Sequence, residues 1–141
     1  MHIRKLTDQI SVSPQILPGE MADLEAAGFR SVINNRPDGE ADDQPSSAEM
    51  AQAAAARGLA YRDIPVVPGQ YEAAVIEAMA RAVAELPAPV LAFCRTGTRS
   101  TTLWALQAAR AGDADAIVKA AGEAGYDIAA LAPRLRAMRH A

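Results

Sequence analysis

The feature that most constrains this chain is the apolar run Val90-Leu91-Ala92-Phe93, which follows Pro87 and Pro89 and leads into Cys94-Arg95-Thr96-Gly97. The prolines end whatever helix precedes them. A short run that is apolar at every position reads as a strand buried on both faces, as in a parallel sheet covered by helices.

The rest of the chain supplies the other parts of such a fold. Short strands are expected at Ile3 to Leu6, Ile10 to Val12, Arg30 to Asn34 and Ala60 to Ile64. A helix from Gly19 to Ala27 stops at Gly28, a common helix terminator. Asn35 to Pro45 is a polar loop with four acidic residues. Ser46 and Glu49 form a capping-box pattern at the head of an alanine-rich helix that ends at Arg57-Gly58. Tyr71, Val75, Ala78, Met79, Ala82, Val83 and Leu86 recur at helical spacing and predict a helix over Gln70 to Leu86. A further helix runs from Ser100 to about Ala111, and two or three shorter ones follow. Strands alternating with helices predict one α/β domain over residues 1 to 141, with a largely parallel central sheet.

Composition removes several classes of function. The 141 residues hold 14 basic and 17 acidic side chains, a formal net charge of -3, against general nucleic-acid binding. No apolar stretch approaches the ~20 residues of a membrane span. The first eight residues lack the apolar stretch of a secretory signal. With one cysteine and two histidines, His2 and His140, there is no internal disulfide and little to build a metal site. No cofactor is expected, and a free thiol fits a reducing cytoplasm.

The chemistry is expected where strand meets helix, since ligands on parallel sheets bind at the carboxyl ends of the strands. Cys94 stands at that place. Unpaired N–H groups at the start of the following helix can form an anion cradle, and Gly97 permits a tight turn. Arg95 and Arg99 add positive charge, and such surroundings expose a thiolate nucleophile. Without that context a lone cysteine is a small buried hydrophobe; with it, a catalytic or redox role is favoured. Cys94 and Arg99 are therefore the expected catalytic pair. Arg95, Thr96, Gly97, Thr98 and Ser100 are expected to bind the anion. Ser100 can hydrogen-bond the thiolate or cap the helix. Arg36 is either a rim residue that attracts the anion or an ion-pair partner of Asp38 or Glu40.

Other candidates are read more plainly. Asp38, Asp42, Asp43 and Asp63 are turn formers or solvated acids rather than a general acid. Tyr61 and Trp104 are expected in packed elements. Arg134, Arg136, Arg139 and His140 complement a helix C-terminus.

Cys94-Arg-Thr-Gly-Thr-Arg99 resembles the active loop of rhodanese-type sulfurtransferases, and Arg99-Ser100 resembles the end of the phosphate loop of tyrosine and dual-specificity phosphatases. That phosphatase loop has five residues between Cys and Arg; this chain has four, with serine where the arginine would fall. Together with Val32-Ile-Asn-Asn-Arg-Pro-Asp-Gly-Glu40 and Tyr61-Arg-Asp-Ile-Pro-Val66, the loop is similar to the phosphatase-like domain of beta-lactamase-hydrolase-like proteins, over roughly residues 3 to 115. The resemblance implies a dual-specificity-phosphatase fold with sulfurtransferase chemistry. It also implies a possible partnership with a persulfide dioxygenase-like enzyme, the domain to which relatives are fused.

The shorter loop favours sulfur transfer over phosphoryl transfer, because a phosphoryl group has three equatorial oxygens to surround and usually needs an acid for its leaving oxygen. On that reading Cys94 takes a sulfur from thiosulfate or a small persulfide, held by Arg95 and Arg99, and passes it to a thiol such as glutathione. The alternatives are a cysteine-dependent phosphatase and a non-catalytic anion- or persulfide-binding module.

Overall fold

The computed structural model describes residues 1–139. Five strands form one sheet in the order β1-β2-β5-β3-β4. They are β1 (Arg4–Lys5), β2 (Ile10–Ser13), β3 (Ser31–Asn34), β4 (Ala60–Asp63) and β5 (Val90–Phe93). All neighbours are parallel except the edge pair β1 and β2. The helices are α1 (Met21–Ala26), α2 (Ser47–Ala56), α3 (Ala73–Glu85), α4 (Thr98–Ala108), α5 (Ala114–Glu123) and α6 (Ala132–Met138).

β5 lies at the centre because its residues suit burial on both sides. Val90 and Ala92 face a core shared with α3, α4, α5 and α6; Leu91 and Phe93 face a second core with Met21, Leu24, Met50 and Ala54. The period-2 alternation of a strand thus divides one apolar run between two layers. α4 is enclosed along most of its length: every residue from Arg99 to Leu106 is buried. Trp104 belongs to the larger core, as expected. Tyr61 packs at the margin of the smaller one, and its hydroxyl bonds Asn34 and Ser47.

Two boundaries differ from expectation in ways that matter for the site. The first α helix begins with a 3-10 turn at Pro18–Glu20, which leaves Leu17 exposed beside it. More importantly, α3 starts at Ala73 rather than at Gln70, with extended Glu72 as its N-cap. Gly69, at φ +82, turns the chain just before it, a left-handed conformation that favours glycine. Tyr71 therefore stands outside the helix, half-buried against the larger core.

Candidate active site

The carboxyl ends of β2, β5 and β3 are level: Ser13 and Asn34 both sit opposite Phe93. The loops that leave these strands consequently meet. Asn35 N–H donates to the Phe93 carbonyl at 2.8 Å, and Gln15 N–H to the Arg95 carbonyl at 3.4 Å.

Cys94 follows β5 and is fully buried. Its Sγ accepts a hydrogen bond from the Gly97 N–H at 3.1 Å. Gly97 caps α4 with φ 93, so the loop doubles back over the sulfur. A Cβ at this glycine would lie 2.7 Å from Tyr126 Cζ. The Tyr126 hydroxyl donates to the Thr96 carbonyl at 3.1 Å. Tyr126 thus walls the loop from outside, while the Gly97 N–H at the head of the helix faces the sulfur.

Arg99 is the second residue of this buried helix, and its guanidinium is tightly committed on one edge. Nη1 donates to Glu40 Oε2 at 2.8 Å and to the Val66 carbonyl at 2.9 Å; Nη2 donates to Glu40 Oε1 at 2.8 Å. A guanidinium has two forks. Glu40 takes the one at its tip, and Val66 fixes the remaining Nη1 proton. The other fork, Nε with the second Nη2 proton, makes no hydrogen bond among the described residues. No fully buried side-chain nitrogen is left unpartnered among them, so Nε keeps some exposure to solvent.

Glu40 is shared. Oε1 also accepts from Arg36 Nε at 2.9 Å, and Arg36 Nη1 donates to Gln15 Oε1 at 3.1 Å. The bond from Arg99, followed by that from Arg36, holds the Glu40 carboxyl down to about 2 against the opposing effect of burial. Arg36 is itself buried. Of its two expected roles the geometry gives the ion pair, with Glu40 and not Asp38.

Ser100 departs from both of its expected roles. Its hydroxyl donates to Asn35 Oδ1 at 2.8 Å, and Asn35 Nδ2 donates to the Ile64 carbonyl at 2.9 Å. Ser100 is two residues inside the helix, where its side chain faces β3 rather than the cradle. Asn35, buried at the exit of β3, is a strut that ties α4 to the chain leaving β4. It was not among the expected site residues, since an asparagine after a strand reads as a turn former.

Glu40, Pro68, Tyr71, Arg95, Thr96, Thr98 and Arg99 line an open cleft of ≈ 490 Å³. Tyr71 and Glu40 are the further residues that sequence reasoning passed over. Burial raises the Tyr71 phenol above its usual 10, nearby Thr102 opposes that, and the charges of Cys94 and Arg99 act on it as well. None of the four aspartates lines this cleft. Asp38 accepts from the Ser47 N–H at 2.8 Å. Burial pushes the Asp63 carboxyl up, with a hydrogen bond to Ser47 opposing it, in a separate hollow beside Arg62 and Ala74. In the C-terminal cluster Arg134 bonds the Tyr71 carbonyl and Arg136 pairs with Asp115; His140 lies outside the described residues.

Residues 2–111 match the family model of the beta-lactamase hydrolase-like protein, phosphatase-like domain. The chain belongs to this family. A beta-lactamase hydrolase-like protein of Agrobacterium fabrum is 37% identical over 102 residues, covering 72% of this chain and 24% of that protein. One of Xylella fastidiosa is 38% identical over 106 residues, covering 75% of this chain and 25% of the relative. The chain thus spans about a quarter of the length of these curated relatives. Among solved structures, a candidate phosphatase of Neisseria meningitidis Z2491 superposes with a TM-score of 0.87 and 30% identity, covering 99% of each chain. Pseudomonas aeruginosa TpbA, solved with pTyr, shares the fold: TM-score 0.65, 18% identity, 99% of this chain and 91% of that one.

These matches confirm the expected family and its phosphatase-like fold, and they overturn the expected activity. The family is phosphatase-like and the 30% identical Neisseria structure is that of a candidate phosphatase, so a rhodanese-like sulfurtransferase working through a Cys94 persulfide is corrected to the phosphatase alternative. Loop length alone does not decide between the two reactions, because the Arg99 guanidinium, fixed by Glu40 and Val66, keeps its Nε and second Nη2 protons outside those bonds.

Proposed function

We propose that this chain is a cysteine-dependent phosphatase acting on a phosphate monoester. The observation that carries the reading is the divided guanidinium of Arg99. Glu40 and Val66 hold one edge and leave the Nε–Nη2 fork for the anion. A bidentate guanidinium suits phosphate oxygens, and a fork fixed in advance loses little entropy on binding.

In this reading the phosphoryl group sits over the Cys94 loop. Arg99 and the loop N–H groups hold its equatorial oxygens, where charge gathers in the transition state. Cys94 Sγ attacks phosphorus, a P–S bond forms and the ester P–O bond breaks. Water then attacks the phosphocysteine, which releases inorganic phosphate and restores the thiolate. Arg95 and the Thr96 and Thr98 hydroxyls lie at the mouth of the cleft and would meet the rest of the substrate. A thiolate nucleophile without a disulfide partner suits a reducing compartment, and we place the protein in the cytoplasm.

Turnover of p-nitrophenyl phosphate tests the reading. The wild type should release phosphate, Cys94→Ser should abolish release, and a phosphocysteine should be trapped by acid quench. Absence of turnover, or turnover that survives Cys94→Ser, overturns it.

A further inference from the structure

A phosphatase of this kind needs a proton for a poor leaving group, and the cleft restricts where one can come from. Glu40 is its one carboxylate, and both of its oxygens are already occupied by guanidinium protons. Arginine does not give up a proton in proteins. Asp38 and Asp63 are turned to Ser47, away from the cleft. Thr96 and Thr98 are hydroxyls of very weak acidity, and the Thr96 hydroxyl donates to the Thr98 oxygen at 3.1 Å. Of the two phenols whose charge is coupled to Cys94, Tyr126 donates its proton to the Thr96 carbonyl. The other is Tyr71, which lines the cleft with Arg99, Thr96 and Thr98.

We propose that Tyr71 is the proton donor to the leaving oxygen, a role that rests on the phosphatase reading above. Tyr71 lines the same cleft as Thr96, Thr98 and Arg99, and the charges of Cys94 and Arg99 both act on its phenol. The Arg134 side chain bonds the Tyr71 carbonyl and anchors the residue at the head of α3.

The step balances as follows. Cys94 thiolate forms the P–S bond, the P–O bond breaks, and its electron pair stays on the leaving oxygen. That oxygen takes the Tyr71 proton and departs as a neutral alcohol or phenol. The Tyr71 phenolate, beside the positive Arg99, then takes a proton from the water that attacks the phosphocysteine. Phosphate leaves, the thiolate is restored, and Tyr71 is again protonated.

A phenol is a useful acid only toward leaving groups at least about as basic as itself. The consequence is a dependence on leaving group. The test compares kcat/KM, which reports the first phosphoryl transfer, for Tyr71→Phe and wild type on p-nitrophenyl, phenyl and simple alkyl phosphates. Phenylalanine keeps the ring and its packing, and circular dichroism checks the fold. The expected result is a loss within about threefold on p-nitrophenyl phosphate and on the order of a hundredfold on phenyl and alkyl phosphates. Equal loss on all three, which a structural role would give, or no loss on any, overturns the donor role while leaving the phosphatase reading in place. Absence of Cys94-dependent turnover in the wild type overturns that reading and this one with it.

Discussion

The loop after β5 and the loop after β3 meet at the same end of the sheet and do opposite work. The first, Cys94 to Gly97, presents a donor: the Gly97 N–H turns inward onto the sulfur. The second presents an acceptor: Glu40 reaches across to α4 and sets the attitude of Arg99. One makes the anion's place, and the other keeps the strongest cation of that place from rotating or swinging away. A cradle of this type is therefore built from two chain segments 59 residues apart, and neither is sufficient.

The two roles separate experimentally. Gly97→Ala should have the largest effect. It forces a side chain into a left-handed conformation and against Tyr126, so phosphatase activity should fall at least a hundredfold, with stability reduced by roughly 1–3 kcal/mol in urea unfolding. Activity within tenfold of wild type would mean the loop tolerates a different shape. Arg99→Lys comes next: a lysine cannot serve Glu40 and an anion through two forks, so kcat/KM should fall about a hundredfold.

Glu40→Gln should be milder, about tenfold in kcat/KM, because the amide keeps the reach but cannot accept on both sides from Arg99 and Arg36. It also has a pH signature. The folded Glu40 carboxyl is held at about 2, below its usual 4.5. Its contribution to stability is thus complete above about 4.5 and is lost as pH falls toward about 2. The acid limb of the wild-type unfolding profile should be shallower in Glu40→Gln; identical limbs would remove Glu40 as the cause. Asp38→Asn, in the same loop, should do least. Activity should stay within about threefold, because Asp38 serves the head of α2 and not Arg99.

This comparison also explains what the sequence could and could not disclose. The alternation of strands and helices, the buried β5 and the Cys94 loop are local patterns, and all are legible in order along the chain. The partnership of Arg99 with Glu40 is not. An acidic residue in the polar stretch 35–45 looks solvated until a distant arginine is folded beside it. Asn35 is hidden in the same way, because its partners Ser100 and Ile64 come from α4 and from the exit of β4. Tyr71 was misplaced for a different reason. Its spacing to Val75 fits a helix, but periodicity does not say where a helix starts, and the turn at Gly69 with extended Glu72 delays it.

Glu40 also sets the charge account of the cleft. Arg36 and Arg99 both pair with its carboxylate, and Arg95 lines the same cleft as Arg99, so three guanidinium charges face those of Glu40 and of the proposed Cys94 thiolate. The positive charge that remains draws a phosphate ester toward the loop before any contact is made, so the cleft selects its ligand by field as well as by shape.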